Sequence, residues 1–463
     1  MSRDKVSSQL MMRSRPNLNV STMGHVNHGK STLLGFLLRQ LKVVSDSEME
    51  QIIDDAREEK REDLTYAYVL QRLPEERKRG ISMVPYHYSF RTDKYDFTAI
   101  DCPGHKDFTR SMIIGTTQAD AGILVVSADE YENATMSYKE DNGEWVAGQA
   151  REHAFIASVL GIDQFIVVIS KMDKVAWDKG RFESAKENVR NLLAELEMTS
   201  IEPIFLPVGG PPPDHYGANV ISNGPELSWF TGRTFLEALN SLTPPKRAEA
   251  LPLRMPIEEE VTLPGTEQIC GSIETGTVKI GERIILIPSN IEAEIRSIKM
   301  RDERLTAEDG TWSETGQAVA GTIVSLAIKR DTKQKHSPRL KGNVVSSEGK
   351  LATVAKGADA LIYVLWHPRK ISKGYSPVVH IGTNYTTCVF EEFKWKMSLG
   401  SKTKEENPGF LTRGERASVS LRFTEPIVCE DQREMTRLNR LLIRDQGLTV
   451  AGGRIEAITE RIN

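Results

Sequence analysis

Cysteine is scarce: Cys102, Cys270, Cys388 and Cys429 are the only four in 463 residues. They are scattered, with neither the paired spacing of a metal site nor the density of a disulfide framework, so a reducing, cytoplasmic setting fits. Long apolar runs are missing too. The longest, 121–128 and 165–169, fall far short of the roughly 20 residues that cross a bilayer. The opening MSRDKVSSQLMMRSRP has no apolar stretch that would serve as a secretory leader, and no membrane partner is expected. Net charge is only −4, so the chain as a whole carries no signature of binding a polyanion.

Charge is nevertheless unevenly placed. Residues 350–463 hold 18 Lys/Arg against 13 Asp/Glu, and 329–341 (KRDTKQKHSPRLK) holds six basic residues and one acidic. A phosphate-backbone partner suits this excess, although a solubilising surface would read the same way.

One stretch organises the rest. Gly24-His25-Val26-Asn27-His28-Gly29-Lys30-Ser31 fits the phosphate-binding pattern G-x-x-x-x-G-K-[ST]. Residues 17–23 (NLNVSTM) read as a strand and 32–41 (TLLGFLLRQL) as an amphipathic helix, the flanks such a loop requires. Successive N–H groups at the helix start then face an anion. Gly24 and Gly29 allow the tight path, Asn27, His28 and Thr32 complete the cradle, Lys30 reaches the outer phosphates and Ser31 offers a hydroxyl to Mg²⁺.

Downstream, 45–79 is charge-dense and helical in pattern, and 57–63 reads as a solvated helix face. Alternation at 84–90 follows Arg79-Gly80-Ile81-Ser82. A strand at 96–100 ends on Asp101-Cys102-Pro103-Gly104-His105, and 121–128 is apolar enough to be buried on both faces. A helix at 149–160 precedes a strand at 165–169 ending on Ser170-Lys171-Met172-Asp173. A helix at 179–196 and a strand at 204–207 lead into Gly209-Gly210. Strands alternating with helices predict a mostly parallel sheet covered on both faces, with ligands at the carboxyl ends of the strands, where every motif falls. Beyond 243–246 (TPPK) the pattern changes to short strands with Gly and Pro punctuation, as in small β-barrels. The expected division is 1–245, 246–347 and 348–463.

The motifs combine into one site. Asp101 would hold Mg²⁺ through water, and Gly104 would present its N–H to a γ-phosphate. His105 would lie near the attacking water. No arginine is assignable as a charge-stabilising finger from within the chain. Lys171 and Asp173 address the base. A carboxylate accepts from guanine N1–H and the 2-amino group, donors that adenine lacks, so the nucleotide is GTP or GDP.

These motifs resemble the translational GTPases, in particular the elongation factor 1-alpha and elongation factor Tu family. GHVNHGKS is similar to that family's GHVDHGK[TS], RGIS to RGIT, DCPGH to DAPGH, SKMD to NKMD, QAREH (149–153) to QTREH and PVGG (207–210) to P-I-S-G. The likeness continues through 271–281, 367–377 and 444–455. It implies an α/β P-loop GTPase domain followed by two β-barrels, with aminoacyl-tRNA or a tRNA-like cargo and the ribosome as partners, and leaves room for a guanine-nucleotide exchange factor.

By the same resemblance Ser82 takes the place of the switch threonine on Mg²⁺, Val26 and Ile81 form an apolar gate beside the catalytic water, and His105 orients that water. Departures from the family pattern are Asn27 for aspartate, Ser170 for an asparagine that braces the base loops, and Gly209 for serine, with Gly210 still able to donate to the guanine oxygen. Weaker, faster-exchanging guanine binding is the expectation. Lys299 stands where the family places a glutamate against the terminal adenosine of its cargo. The loops 211–216 and 329–341 are longer or more charged than usual. Three readings follow: an aminoacyl-tRNA carrier, a diverged paralog delivering a release or rescue protein, and a subunit like the GTPase of sulfate activation.

Overall fold

The computed structural model describes residues 15–462 apart from 72, 140–144, 197, 199–200, 210–216, 264–265, 302–311, 331–338, 368, 399, 402 and 432–436. Gly210, the loop 211–216 and most of the basic loop therefore lie outside the described residues.

The first part is a six-stranded sheet of β1 (Asn17–Met23), β2 (Tyr86–Arg91), β3 (Asp96–Asp101), β4 (Ala121–Ser127), β5 (Phe165–Ser170) and β6 (Ile204–Pro207). Its order is β2-β3-β1-β4-β5-β6, with β2 antiparallel to β3 and every other pairing parallel. Continuous apolarity buries every residue of β4 and β5, because helices cover both faces. Helix α1 (Lys30–Gln40) starts at Lys30, two residues before its apolar stripe, because Gly29 at φ 87° turns the loop directly into it.

The charge-dense segment is not one helix. It breaks into α2 (Asp46–Glu58), α3 (Thr65–Tyr68) and α4 (Pro74–Arg79). Ser45 caps α2 by accepting from Glu48 N at 3.1 Å, a left-handed Lys60 (φ 55°) ends the run, and Pro74 opens α4 at a position that needs no donor. Further helices are α5 (Thr109–Thr117), α6 (Tyr131–Thr135), α7 (Gln149–Val159), α8 (Lys179–Glu195) and α9 (Phe235–Ser241).

Two all-β units follow. Antiparallel strands between Arg254 and Ser347 pair in a chain that closes where Glu258 N donates to Cys270 O at 2.9 Å. Strands from Val354 to Arg461 form a second ring, closed by the pairing of Val378–Ile381 with Asn384–Ser398. Each encloses its own apolar core.

The three units meet at Asp120, whose side chain is 1% exposed. Its carboxylate accepts from Asn19 N (2.9 Å) and from both Nη atoms of Arg247 (2.8 and 2.7 Å), on the connection into the first barrel. Arg437 of the second barrel approaches to 3.6 Å, donates to Thr117 O, and offers its backbone N to Glu274 at 3.0 Å. Burial pushes the Glu274 carboxyl up to about 7 against the pull of Arg437. Elsewhere Glu152 of α7 accepts from Thr449 N at 3.2 Å and Oγ1 at 2.5 Å, and the buried Arg254–Glu430 pair at 2.5 Å joins the barrels.

Candidate nucleotide site

The carboxyl ends of β1, β3, β5 and β6 open on a cleft of about 510 Å³. It is lined by Val26, Asn27, Gly29, Lys30, Ser31 and Thr32 of the first motif, by Ile81, Ser82 and Gly104, and by Ser170, Lys171, Asp173 and Gly209. Five sequence motifs spread between residues 24 and 210 thus contribute to one space. Gly24 and His28 support the loop from behind instead of lining it, and His105 is not part of the wall.

At the phosphate end, Ser31 Oγ donates to Asp101 Oδ2 at 2.7 Å and Ser82 Oγ to the same oxygen at 3.1 Å. The two hydroxyls are 3.1 Å apart, and Thr22 Oγ1 donates to Asp101 Oδ1 at 2.8 Å. Asp101 is fully buried, and burial raises its carboxyl against these hydrogen bonds. Two hydroxyls and a carboxylate converging beside a phosphate loop are a hard-oxygen donor set that fits Mg²⁺. Lys30 is buried, its Nζ donating to Gly24 O (3.2 Å) and His25 O (2.8 Å), and burial lowers it to about 8. A Cβ at Gly104 would fall 2.2 Å from that Nζ and 3.0 Å from Gly24 O, so a side chain there would have to displace the lysine.

The loop is locked by imidazoles that the motif pattern alone does not explain. His153 of α7 accepts from Gly24 N through Nδ1 at 3.0 Å, Gln149 accepts from Val26 N at 3.1 Å, and His28 Nδ1 accepts from Ser127 N at 3.0 Å. An acceptor nitrogen carries no proton, and burial lowers His153 to about 3 and His28 to about 2. The unfolded chain binds a proton to His153 below about pH 6.5 while the folded chain does not, so its contribution is complete above that pH and shrinks as pH falls toward 3. Against a His153→Asn variant, whose amide oxygen can still accept from Gly24 N, the unaltered protein should lose about 1.4 kcal/mol by pH 5.5. Urea unfolding at pH 7.5 and 5.5 measures the difference; a gap independent of pH would contradict the neutral imidazole.

The switch segment has its own brace. Glu76 is wholly buried, and its carboxylate accepts from Met83 N (2.7 Å), Val84 N (3.4 Å) and Leu73 N (3.3 Å), fixing the turn that presents Ile81 and Ser82. Val26 and Ile81 both line the cleft, as a gate would. Arg61 lines it as well, held 3.4 Å from Asp63, a cation the charge-dense pattern concealed. His105 instead caps the turn Lys106–Phe108, its Nδ1 accepting from Asp107 N at 3.2 Å.

At the base end, Ser170 corrects the expected loss of bracing. Its Oγ donates to His28 O at 2.7 Å, so a hydroxyl links the base loop to the phosphate loop in place of an amide. Lys171 is left-handed at φ 56°, and burial together with Lys174 lowers its ammonium. Met172 N donates to Val208 O at 3.2 Å, tying the Lys171–Asp173 loop to the turn carrying Gly209. Asn27, at φ 62°, occupies the left-handed region that asparagine tolerates well.

Comparison with known proteins agrees with this geometry. The model of the elongation factor Tu GTP binding domain matches residues 15–332, and that of the GTP-eEF1A C-terminal domain-like family matches 357–456. Elongation factor 1-alpha of Methanothrix thermoacetophila is 35% identical over 456 residues, covering 97% of this chain and 100% of the relative. That of Methanopyrus kandleri is 37% identical over 455 residues, covering 96% and 98%. Among solved structures, the S. cerevisiae Ski7 GTPase-like domain bound to GTP superposes with a TM-score of 0.75 at 17% identity, covering 99% of this chain and all of that one. Elongation factor SelB of Methanococcus maripaludis with a GTP analogue gives 0.64 at 19%, covering 96% and 80%. At such identities the two structures speak for the fold alone.

Proposed function

The chain belongs to the elongation factor 1-alpha family of GTP-binding translation factors, and we propose that it carries aminoacyl-tRNA to the ribosome as a GTP-dependent switch, hydrolysing GTP there. The observation that carries the switch is the convergence of Ser31, Ser82 and Asp101 on one point of the cleft. These three residues would hold Mg²⁺, which supplies charge neutralisation between the β- and γ-phosphates. Lys30 exchanges its two loop carbonyls for phosphate oxygens when nucleotide enters. Gly104 offers its N–H to the γ-phosphate and His105 swings in to orient the attacking water, with Val26 and Ile81 shielding it. Asp173 reads the guanine edge, and Lys171, Ser170, Gly209 and Gly210 shape that end. When the γ-phosphate leaves, Ser82 loses its reason to stay, and the segment from Arg61 to Ser82 rearranges.

Basic residues of the second barrel supply a surface for the cargo's backbone. Lys370 sits 3.7 Å from the Phe410 ring centre and Lys404 4.0 Å from that of Trp395, whereas Lys396 beneath them is buried and paired with Glu415 at 3.1 Å. Arg330 is likewise already paired, with Glu267. Affinity for aminoacyl-tRNA should be higher with a GTP analogue than with GDP, and should fall on the order of 10³-fold between 50 and 200 mM salt. Filter binding across that range checks both; binding insensitive to salt and nucleotide would contradict the proposal.

One observation favours a second reading, delivery of a release or rescue protein. Lys299 lies in strand Ile291–Arg301 directly across from Glu314, so the barrel presents a cation where the family has an acid. Under that reading a protein partner, not aminoacyl-tRNA, responds to GTP.

A further inference from the structure

Gly209 departs from the family's serine, and the fold shows what fills the space. A Cβ at position 209 would come within 2.3 and 2.5 Å of Cη2 and Cζ2 of Trp177, whose ring lies against the turn from outside the cleft. The ring's placement is built rather than incidental. Ala176 and Trp177 are successive non-glycine residues in the left-handed region, at φ 51° and 57°. Such backbone is unfavourable and persists only where its surroundings hold it. Here Trp177 N donates to Met172 O at 2.8 Å, and Trp177 O accepts from Trp229 Nε1 at 3.1 Å. Trp229 in turn packs 5.4 Å from Phe182 of α8, in the apolar core.

Three connections therefore meet at Trp177, two through its backbone N–H and carbonyl and one through its ring. The loop Lys171–Asp173 is tied to it through Met172 O, and the same residue's N–H is tied to Val208 O. Val208 N donates to Ile169 O at 2.9 Å, anchoring the turn on β5. The ring itself covers Gly209. Both walls of the base end are thereby referred to one residue, the Asp173 loop through its backbone and the Gly209 turn through its ring.

The geometry assigns Trp177 as the positioning residue of the guanine end: its indole replaces a side chain at 209 and sets the distance between that turn and the Asp173 loop. Trp177 and Gly209 are then a matched pair, and a serine at 209 is compatible with this chain only when the indole is gone. This inference rests on the proposed guanine site and concerns how selectively that site holds its base.

The test measures binding of GDP, IDP and ADP by calorimetry to the full chain and to W177A, W177F, G209S and the W177A/G209S double variant. IDP lacks the 2-amino group, so the IDP-to-GDP ratio reports whether Asp173 is held in register. In W177A, GDP binding should weaken about tenfold and IDP binding clearly less, narrowing that ratio; W177F should retain most of it. G209S should also weaken GDP about tenfold through overpacking, and the double variant should bind GDP no worse than W177A alone. Equal losses for GDP and IDP in W177A would make the indole a general structural prop and overturn the assignment. Losses that multiply in the double variant would overturn the pairing. If the unaltered protein does not prefer GDP to ADP, the guanine site itself is wrong; a clear GDP preference that every variant keeps defeats only the role of Trp177.

Discussion

Replacing His105 by alanine should leave GTP and GDP affinity nearly unchanged and slow ribosome-dependent GTP hydrolysis by about 10²–10⁴-fold. The separation follows from where the residue sits. His105 follows Gly104 at the end of the β3 motif, but its ring does not line the nucleotide cleft. It is one-third exposed (34%) and its Nδ1 is occupied by Asp107 N at 3.2 Å. Binding therefore does not depend on it, whereas hydrolysis requires the ring to turn from this cap toward the γ-phosphate. A partner that stabilises the turned state should accelerate the reaction, and the isolated chain should hydrolyse slowly. Nucleotide affinity by calorimetry and single-turnover hydrolysis with ribosomes measure the two effects separately. A comparable loss in both would place His105 in the binding wall and contradict the arrangement.

Removing the Asp120 carboxylate should be the most damaging single change outside the nucleotide site. In Asp120→Ala, Arg247 and Arg437 are left facing each other without their shared anion, and Asn19 N loses its acceptor. Stripping one member from a buried ionic network costs about 3–5 kcal/mol. In a chain of 463 residues that is about 3–5 °C in the unfolding midpoint. Asp120→Asn keeps an acceptor for Asn19 N and should lose less. Because Arg437 reaches this point from the second barrel, the loss should also appear as earlier separation of the units, seen as protease sensitivity between them. A midpoint within 2 °C of the unaltered protein would show that the three units are held together elsewhere.

How much of this was legible in the sequence differs by element. The phosphate loop was, because Gly24, Gly29, Lys30 and Ser31 act through backbone geometry and charge at fixed spacing. Strands β4 and β5 were legible from continuous apolarity, and the barrels from short alternating runs. The approach of Asp101 to Ser31 was implied by motif order along a parallel sheet, whereas the part played by Ser82 came from the family resemblance. Residues acting across long separations were not. Nothing local distinguishes Asp120 from a surface acid; its role depends on Arg437, 317 positions away. His153 and Gln149 lie one helical turn apart on α7, a spacing that could have marked a common face, but their backbone partners are visible only in three dimensions. Glu76 follows Pro74 in the first turn of α4, where an acid suits the helix start, yet it also braces the switch. The departures at Ser170 and Gly209 read as losses when taken singly, whereas the hydroxyl bond to His28 and the indole of Trp177 give each its own compensation.

The most direct test of the central claim is protection of the aminoacyl ester of aminoacyl-tRNA from spontaneous hydrolysis, measured with a GTP analogue and with GDP. Carriage of aminoacyl-tRNA predicts strong protection with the analogue and little with GDP, despite Lys299. Absence of protection, in a sample shown to bind the analogue, would contradict that account and leave a GTPase that delivers a different cargo.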